Sequence, residues 1–236
     1  MNTWVFGDVH GNVEKLRQCL SKINLQKGDT IIGLGDYVDR GVCSYEVVEL
    51  LLSLEKDYNC IWLRGNHDQC FLQGFDKGDF TLWNQGCRET VQSYRRNLKL
   101  GETDNTTLTI SQLPETHFEF FDNLKYYYID KENRLFVHAG INRHHSIEDL
   151  DYNADDVCLW DRDFINSARS YYESDLGKFK TKDDFKEIFV GHTPTQCFGE
   201  DKPMQFERIY LLDTGCGKGG ELTIMNVETK QYYQSK

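Results

Sequence analysis

The sequence is poor in the features that divide a chain into parts or anchor it in a membrane. It has three prolines in 236 residues and no segment rich in proline, glycine or serine, so we expect one domain spanning residues 1–236. Its most apolar stretch, residues 47–54, is interrupted by Glu49 and is far shorter than the roughly 20 residues of a membrane-spanning helix. Its eight cysteines form no Cys-x-x-Cys pair, so a structural zinc knuckle has no support.

Basic residues are scarce relative to acidic ones: 27 Lys and Arg against 38 Asp and Glu give a formal net charge of −11. A surface of this charge repels phosphate backbones and anionic membranes, so we expect neither nucleic-acid polymers nor membranes as partners. A locally basic or metal-filled cleft could still hold a phosphate group. The first residues lack the basic segment and apolar run of a signal peptide, so we expect a cytoplasmic protein with reduced thiols.

Short runs rich in β-branched and aromatic residues alternate with helical patterns in this chain. Apolar residues recur at helical spacing over residues 13–23 and 45–52, with Asn12 and Ser44 as predicted N-caps. Residues 68–123 look mostly helical. The predicted strands cover residues 4–6, 30–32, 60–63, 135–137, 188–190 and 209–212, with hairpins at 126–137 and 222–233. The early alternation of strand and helix predicts a layered α/β domain.

Side chains that can bind metal ions or phosphate follow strand after strand. In an α/β sheet, ligands bind in the crevice beyond the carboxyl ends of the strands. Six such strand ends would therefore deliver Asp, His, Asn and Arg side chains to one place. The segments that follow the strands are residues 7–11, 35–41, 64–68, 138–140, 191–193 and 213–215.

These side chains offer oxygen and imidazole ligands, which suit Mn, Fe or Zn. Asp8 and His10 lie two residues apart and can chelate one ion from an extended strand end. Asp36 is the natural bridge, because one carboxylate can serve two ions. The second ion would be completed by Asn66, His138 and His192. Two ions about 3.5–4 Å apart can activate a water molecule for an in-line displacement.

Each of these motifs also has a simpler interpretation. Asp36 and Asp39 could cap the following helix, and His138 and His192 could be hydrogen-bonded core histidines. Residues 213–215, Asp-Thr-Gly, are typical of a tight structural turn. Taken together, the simpler interpretations do not explain why ligand-type residues end one strand after another.

Five motifs in order, GDVHG, GDYVDRG, RGNHD, HAG and GHT, resemble the signature of the phosphoprotein phosphatases, which are calcineurin-like metallophosphoesterases. Within that family the chain is similar to the small bacterial and phage serine/threonine phosphatases and to the symmetric dinucleoside tetraphosphatases. The resemblance covers about residues 5–220. It implies an α/β fold with a β-sandwich of two mixed sheets flanked by helices.

The resemblance also implies roles for individual residues. His67 matches the general acid that protonates the leaving alkoxide, and Asp39 matches the carboxylate that orients it. An imidazolium paired with a carboxylate is a suitable proton donor near neutral pH. Residues matching the ligands of two divalent ions, with manganese expected and iron or zinc as alternatives, are Asp8, His10, Asp36, Asn66, His138 and His192.

Two arginines match the family's phosphate-binding positions. Arg40 follows Asp39 directly, and Arg162 lies in a Trp-x-Arg segment after the HAG motif. Guanidinium groups can hold phosphate oxygens bidentately and balance charge in the transition state. The alternative for Arg162 is a surface salt bridge with Asp161 or Asp163.

The substrate indications are divided. Asp39 is present where the best-known bacterial tetraphosphatases carry a small residue, whereas residues 212–220 resemble the tetraphosphatase tail; Asp68 and Cys87 also depart from common family residues. Our first hypothesis is a metal-dependent phosphatase of phosphoserine and phosphothreonine in proteins. The alternative is symmetric cleavage of diadenosine tetraphosphate to ADP. A catalytically silent binding module is a third hypothesis, and the complete set of ligand-type residues argues against it. The expected partner is a phosphoprotein or a phosphorylated small molecule.

Overall fold

The computed structural model describes residues 1–77, 83–101, 107–149, 154–174 and 177–236. The strands are β1 Thr3–Phe6, β2 Thr30–Gly33, β3 Asn59–Trp62, β4 Tyr127–Ile129, β5 Arg134–Val137, β6 Glu187–Val190, β7 Met204–Phe206, β8 Ile209–Leu211, β9 Thr223–Asn226 and β10 Tyr232–Gln234. The α-helices are α1 Val13–Ser21, α2 Ser44–Leu54, α3 Asn66–Lys77, α4 Cys87–Asn97, α5 Glu115–Asp122 and α6 Asp163–Ser174. Across these ranges, no helix is long and apolar enough to cross a membrane.

The strands form two mixed five-stranded sheets. One has the order β10-β9-β1-β2-β3, in which β1, β2 and β3 are parallel and β9 is antiparallel to β1. The other has the order β4-β5-β6-β8-β7, in which β5, β6 and β8 are parallel and both edge strands are antiparallel. This arrangement of two mixed sheets flanked by helices confirms the fold class predicted from the sequence.

Alternation along the strands explains how the layers pack. In β1, Val5 joins the apolar cluster between the two sheets, whereas Trp4 and Phe6 join the cluster beneath the helices. In the second sheet, Phe136 and Phe189 face inward and stack with their ring centroids 4.9 Å apart. Because successive side chains of a strand point to opposite faces, each sheet buries both of its faces.

The predicted elements are present, with differences at their ends. The six predicted strands and both hairpins are observed, whereas β7 and α6 were not predicted. Asn12 is the N-cap residue of α1, as predicted, but its side chain makes no capping hydrogen bond, because its amide donates to the carbonyls of Val9 and His10. The N-cap prediction for Ser44 is wrong: Ser44 is the first residue of α2, and its hydroxyl lies 3.1 Å from that of Thr90.

Candidate metal centre

The loops that follow the parallel strands converge at one edge of the sandwich, and their backbone there is strained. Left-handed backbone is unfavourable for residues with a Cβ and persists only where the surroundings impose it. Of the nine described non-glycine residues with positive φ, five belong to these loops: His10, Asp36, Asp39, Arg40 and His192. The strain therefore concentrates at the residues that the sequence predicted as the site.

Asp36 lies at the centre of the cluster. Its Oδ2 is 3.5 Å from Nε2 of His10, and its Oδ1 is 3.5 Å from Nε2 of His138. Burial disfavours the charged carboxylate, but the facing imidazoles of His138 and His67 outweigh it and hold the pKa of Asp36 below its ordinary value. A single carboxylate thus faces two separate sets of ligand atoms, as a bridging group must.

Asp8 and His10 form the first set. The ring of His10 hydrogen-bonds the Val38 carbonyl through Nδ1, at 3.0 Å, which turns Nε2 towards Asp8, 3.9 Å away. Burial lowers the pKa of His10 to about 3, so the ring is a neutral imidazole, the form that binds metals. A Cβ at Gly191 would overlap Oδ1 of Asp8, so only glycine allows this close approach.

Asn66, His138 and His192 form the second set. The Asn66 carbonyl lies 3.2 Å from Nε2 of His138 and 2.9 Å from Nδ1 of His192. Burial lowers the pKa of His192 to about 2. Among the described residues, Nε2 of His192 has no hydrogen-bond partner although it is buried. A buried polar atom is rarely left unpaired, so this nitrogen fits a bound ion.

The donor set therefore fits two ions. Within the described part of the chain, the ligand atoms of His10, Asp36 and His67 lie within 4.8 Å of one another, and so do those of Asp36, His138 and His192. The two groups share Asp36. Oxygen and imidazole donors without a thiolate suit divalent ions such as Mn, Fe or Zn. His67 lies among the potential ligands, although the sequence assigned it to acid catalysis.

His67 is held by Asp39. Nδ1 of His67 lies 2.6 Å from Oδ2 of Asp39, and the other carboxylate oxygen accepts a 2.6 Å hydrogen bond from the Thr90 hydroxyl. Burial lowers the pKa of His67, but the carboxylates of Asp36 and Asp39 outweigh it and raise the pKa above its ordinary value. The ring can therefore carry a proton near neutral pH.

The two arginines also lie at this centre. The Arg40 guanidinium lies 2.8 Å from Nε2 of His10 and 3.0 Å from Nε2 of His67. Arg162 donates to the His192 carbonyl and the Thr193 hydroxyl, each at 3.3 Å. The alternative of a salt bridge from Arg162 to Asp161 or Asp163 is not observed among the described contacts.

Asp213, which follows β8, was not among the site residues predicted from the sequence. Residues 213–215 were interpreted as a structural turn, yet Asp213 is buried beside Asp8 and raises the pKa of that residue. Burial raises the pKa of Asp213 itself to about 6. The signal that could have identified it was already present, because it follows a parallel strand as the other site residues do.

Asp68 was also missed as a positioning residue. Its Oδ2 accepts the backbone N–H groups of Asp36 at 2.7 Å and Gly65 at 2.9 Å, and its Oδ1 accepts that of Tyr37 at 2.9 Å. Burial raises the pKa of Asp68 to about 8. The side chain ties the loop after β2 to the loop after β3, which fixes the position of Asp36.

A cavity of about 640 Å³ adjoins the centre. The turn that carries Lys218 lies directly against His10, because a Cβ at Gly217 would overlap that ring. The turn before α4 is held by a 3.2 Å hydrogen bond from the Arg40 amide to the Gly86 carbonyl. The charged residues lining the cavity are Arg40, Arg88, Glu89, Arg162 and Lys218. An acidic protein thus presents a locally positive cavity beside its candidate metal centre.

Comparison with known proteins identifies the family. The chain is 27% identical to bis(5'-nucleosyl)-tetraphosphatase PrpE [asymmetrical] of Oceanobacillus iheyensis, over 97% of this chain and 89% of that protein. It is 26% identical to the symmetrical bis(5'-nucleosyl)-tetraphosphatase of Marinomonas sp., over 100% of this chain and 97% of that protein. It is 26% identical to serine/threonine-protein phosphatase 1 of Salmonella typhimurium, over 96% of this chain and 92% of that protein. The calcineurin-like phosphoesterase pattern matches residues 1–215. The chain therefore belongs to the calcineurin-like phosphoesterase family and is a metallophosphoesterase.

Proposed function

We propose that the protein is a phosphomonoesterase that hydrolyses phosphoserine and phosphothreonine in proteins. The observation that supports this most directly is the 2.6 Å contact between His67 and Asp39. A serine or threonine alkoxide is strongly basic, so its departure needs a proton donor. His67 acts as that general acid, and Asp39 orients the ring and stabilises its protonated form.

The metal ligands in this proposal come from both sets of side chains. They are Asp8, His10, Asp36, Asn66, His138 and His192. Two divalent ions, when bound, activate a water molecule and neutralise charge on the phosphoryl oxygens. We propose manganese, which the donor set suits; iron and zinc are the alternatives.

Arg40 and Arg162 bind the phosphate group in this proposal. The Arg40 guanidinium lies within 3.0 Å of Nε2 of both His10 and His67, so it faces the space that a phosphoryl group would occupy between them. Arg162 approaches from the side of His192. Two planar guanidinium groups can hold phosphate oxygens bidentately and balance the charge of the transition state.

A second candidate function is the hydrolysis of diadenosine tetraphosphate, by symmetric cleavage to ADP. The observation that favours it is the cavity lined by four cationic side chains, which could accommodate a chain of phosphates. A departing nucleotide phosphate is far less basic than an alkoxide, so this reaction depends less on a general acid. Relatives named for both kinds of substrate match almost the whole chain.

A side-by-side assay of the manganese-loaded enzyme tests the proposal. One arm offers a phosphothreonine peptide and the other offers diadenosine tetraphosphate, with His67→Asn as the control in both. Much faster phosphate release from the peptide, lost in the variant, supports the protein phosphatase. Much faster nucleotide production contradicts it, and the products then separate symmetric cleavage to ADP from off-centre cleavage to ATP and AMP.

The remaining expectations stay predictions. The net charge of −11 supports the exclusion of nucleic-acid polymers and membranes as partners. A cytoplasmic location and a single domain over residues 1–236 are likewise untested predictions.

A further inference from the structure

A second basic cavity, of about 360 Å³, lies away from the metal ligands. Among the residues that the structure describes, no Asp or Glu lines it, although the chain as a whole is acidic. We call its lining the lysine patch; its residues are Arg143, His144, Tyr171, Lys178, Lys180, Thr181 and Lys182. Local positive potential on an acidic protein attracts anionic ligands to that place rather than to the rest of the surface.

The segment that carries the lysines is anchored by one aromatic side chain. Phe179 is buried, with 3% of its surface exposed, and its ring lies 5.4 Å from that of Phe164 and 5.5 Å from that of Tyr171. Its neighbours Lys178 and Lys180 are exposed. This alternation is typical of an extended segment and fixes the lysines on the outer side.

Arg143 is held in place without a carboxylate. Its guanidinium lies 5.2 Å from the ring centre of Tyr171 and 5.3 Å from that of Phe179, a cation–π arrangement. Its backbone carbonyl accepts a 2.8 Å hydrogen bond from the Lys182 amide, which ties the lysine segment to the loop after β5. Within the described ranges, Arg143 has no salt bridge. Its charge is therefore available to a ligand.

The loop after β5 connects the lysine patch to the metal centre along the chain. Arg143 follows the His-Ala-Gly segment of His138 by three residues. Arg143 and His144 also line a neighbouring cavity of about 360 Å³ that reaches Asp161, the residue before Arg162. Because Asp156, Asp161 and Asp163 line that neighbouring cavity, an acidic ligand would be confined to the lysine patch itself.

We propose that the lysine patch docks an acidic segment of the polypeptide substrate. This inference rests on the proposed protein phosphatase function. Lys178 and Lys180 lie two residues apart on the extended part of the segment, a spacing of about 7 Å that matches alternate carboxylates on an extended peptide. Nucleic acid is disfavoured, because the Arg143 guanidinium already lies over the Tyr171 ring that would have to stack on a base.

Direct binding tests the docking without relying on catalysis. The probe is a fluorescent, unphosphorylated peptide of alternating Glu and Ser, titrated with the metal-loaded enzyme and followed by anisotropy. The test variant combines Lys178→Gln, Lys180→Gln and Lys182→Gln. The matched control combines Lys27→Gln, Lys56→Gln and Lys202→Gln, three exposed lysines elsewhere. We expect the Kd to rise about tenfold in the test variant and less than twofold in the control.

A kinetic arm links the patch to turnover. The test variant should raise the KM of a phosphothreonine peptide that carries an acidic extension by about tenfold, with kcat and p-nitrophenyl phosphate turnover unchanged. Three outcomes would overturn the docking proposal. They are equal changes in both triple variants, unchanged peptide binding in the test variant, and a patch that binds single-stranded RNA and not the peptide. An enzyme that binds the acidic peptide through the patch but is inert towards phosphopeptides would overturn the proposed function instead.

Discussion

The two ends of the sandwich differ in how their buried charges are balanced. At the carboxyl ends of the parallel strands, Asp8, Asp36 and Asp213 are buried together. Burial and mutual repulsion raise the pKa values of Asp8 and Asp213, and burial lowers those of the neighbouring histidines His10 and His192. This end gathers carboxylates and neutral imidazoles beyond what its own cations balance.

At the amino ends of the same strands, the chain neutralises its own charges. Arg134 is buried and pairs with Asp130 at 2.6 Å and with Glu228 at 3.2 Å. Lys230 pairs with Glu187 at 2.7 Å. These groups line a cleft of about 660 Å³ in which acidic and basic side chains alternate.

The comparison separates structural from functional burial of charge. A buried charge that is paired within the chain contributes to folding and needs nothing from outside. A buried cluster of carboxylates beside an unpaired imidazole nitrogen is electrostatically unbalanced, and bound cations would neutralise its charge and occupy that nitrogen. Substitutions at the first end should therefore affect activity and metal binding, and substitutions at the second end should affect stability alone.

Asp36→Asn should have the largest effect, because it removes the carboxylate that faces both sets of ligand atoms. We expect hydrolysis to fall by about 10⁴-fold or more and bound metal to fall from two ions per chain to one or none. Elemental mass spectrometry and initial rates measure the two quantities. Asp201→Asn, an exposed aspartate, is the control. Full metal occupancy in Asp36→Asn would contradict the bridging role.

His67→Asn should lower turnover of an alkyl phosphomonoester by roughly 10²–10⁴-fold, because it removes the proposed general acid. Bound metal should remain near two ions per chain. The loss on p-nitrophenyl phosphate should be smaller, since its leaving group needs less proton assistance. Steady-state kinetics on both substrates checks this, and equal losses would count against the acid role.

Arg134→Met tests the opposite end. It leaves the largely buried Asp130 without its cation, so we expect a loss of about 3 kcal/mol in the free energy of unfolding. For a protein of this size, that corresponds to a Tm lower by roughly 6–12 °C. The control is Arg17→Met, whose pair with Glu14 is exposed. At temperatures well below Tm, kcat and KM should not change; a change would break the division between the two ends.

The sequence predicted which residues come together at the carboxyl ends of the strands far better than it predicted the contacts at the opposite end. Parallel strands bring their carboxyl ends together, so polar residues after successive strands indicate a common site. The role of Asp68 was not predictable, because it depends on how two loops approach each other. The ion pairs of Arg134 with Glu228 and of Lys230 with Glu187 were equally hidden, since these partners come from distant segments. The helix α6 and the short edge strand β7 lacked a recognised pattern.

Arg162→Ala should weaken phosphate binding more moderately. Its guanidinium donates to the His192 carbonyl and the Thr193 hydroxyl, so its loss removes charge-assisted hydrogen bonds to a phosphate without disturbing a ligand side chain. We expect kcat/KM to fall by roughly 10–100-fold, which corresponds to about 1.4–2.7 kcal/mol. Product inhibition by inorganic phosphate provides an independent measure. Unchanged kcat and KM would mean that another residue binds the phosphate.

Asp29 gives the smallest effect and the clearest pH test, because at the opposite end a carboxyl is stabilised in its charged form. Burial disfavours the charged form. Hydrogen bonds from the backbone N–H groups of Asn2 at 2.7 Å and Gln26 at 3.0 Å outweigh the burial and lower the pKa of Asp29. A carboxyl with a lowered folded pKa contributes stability above its unfolded pKa of about 3.9, and this is lost as the pH falls through the folded value.

Asp29→Asn keeps one acceptor oxygen and loses the charge, so it should cost about 1 kcal/mol at pH 5–7. The difference from the unsubstituted protein should shrink as the pH falls below about 4, where the carboxyl of the unfolded chain is protonated, and disappear once the pH is below the lowered pKa of the folded chain. Denaturant unfolding at a series of pH values measures it, with the exposed Asp57→Asn as control. A difference that grew in acid would mean that the folded state raises the pKa of Asp29, as burial raises that of Asp213, and the contrast between the two ends would fail at this residue.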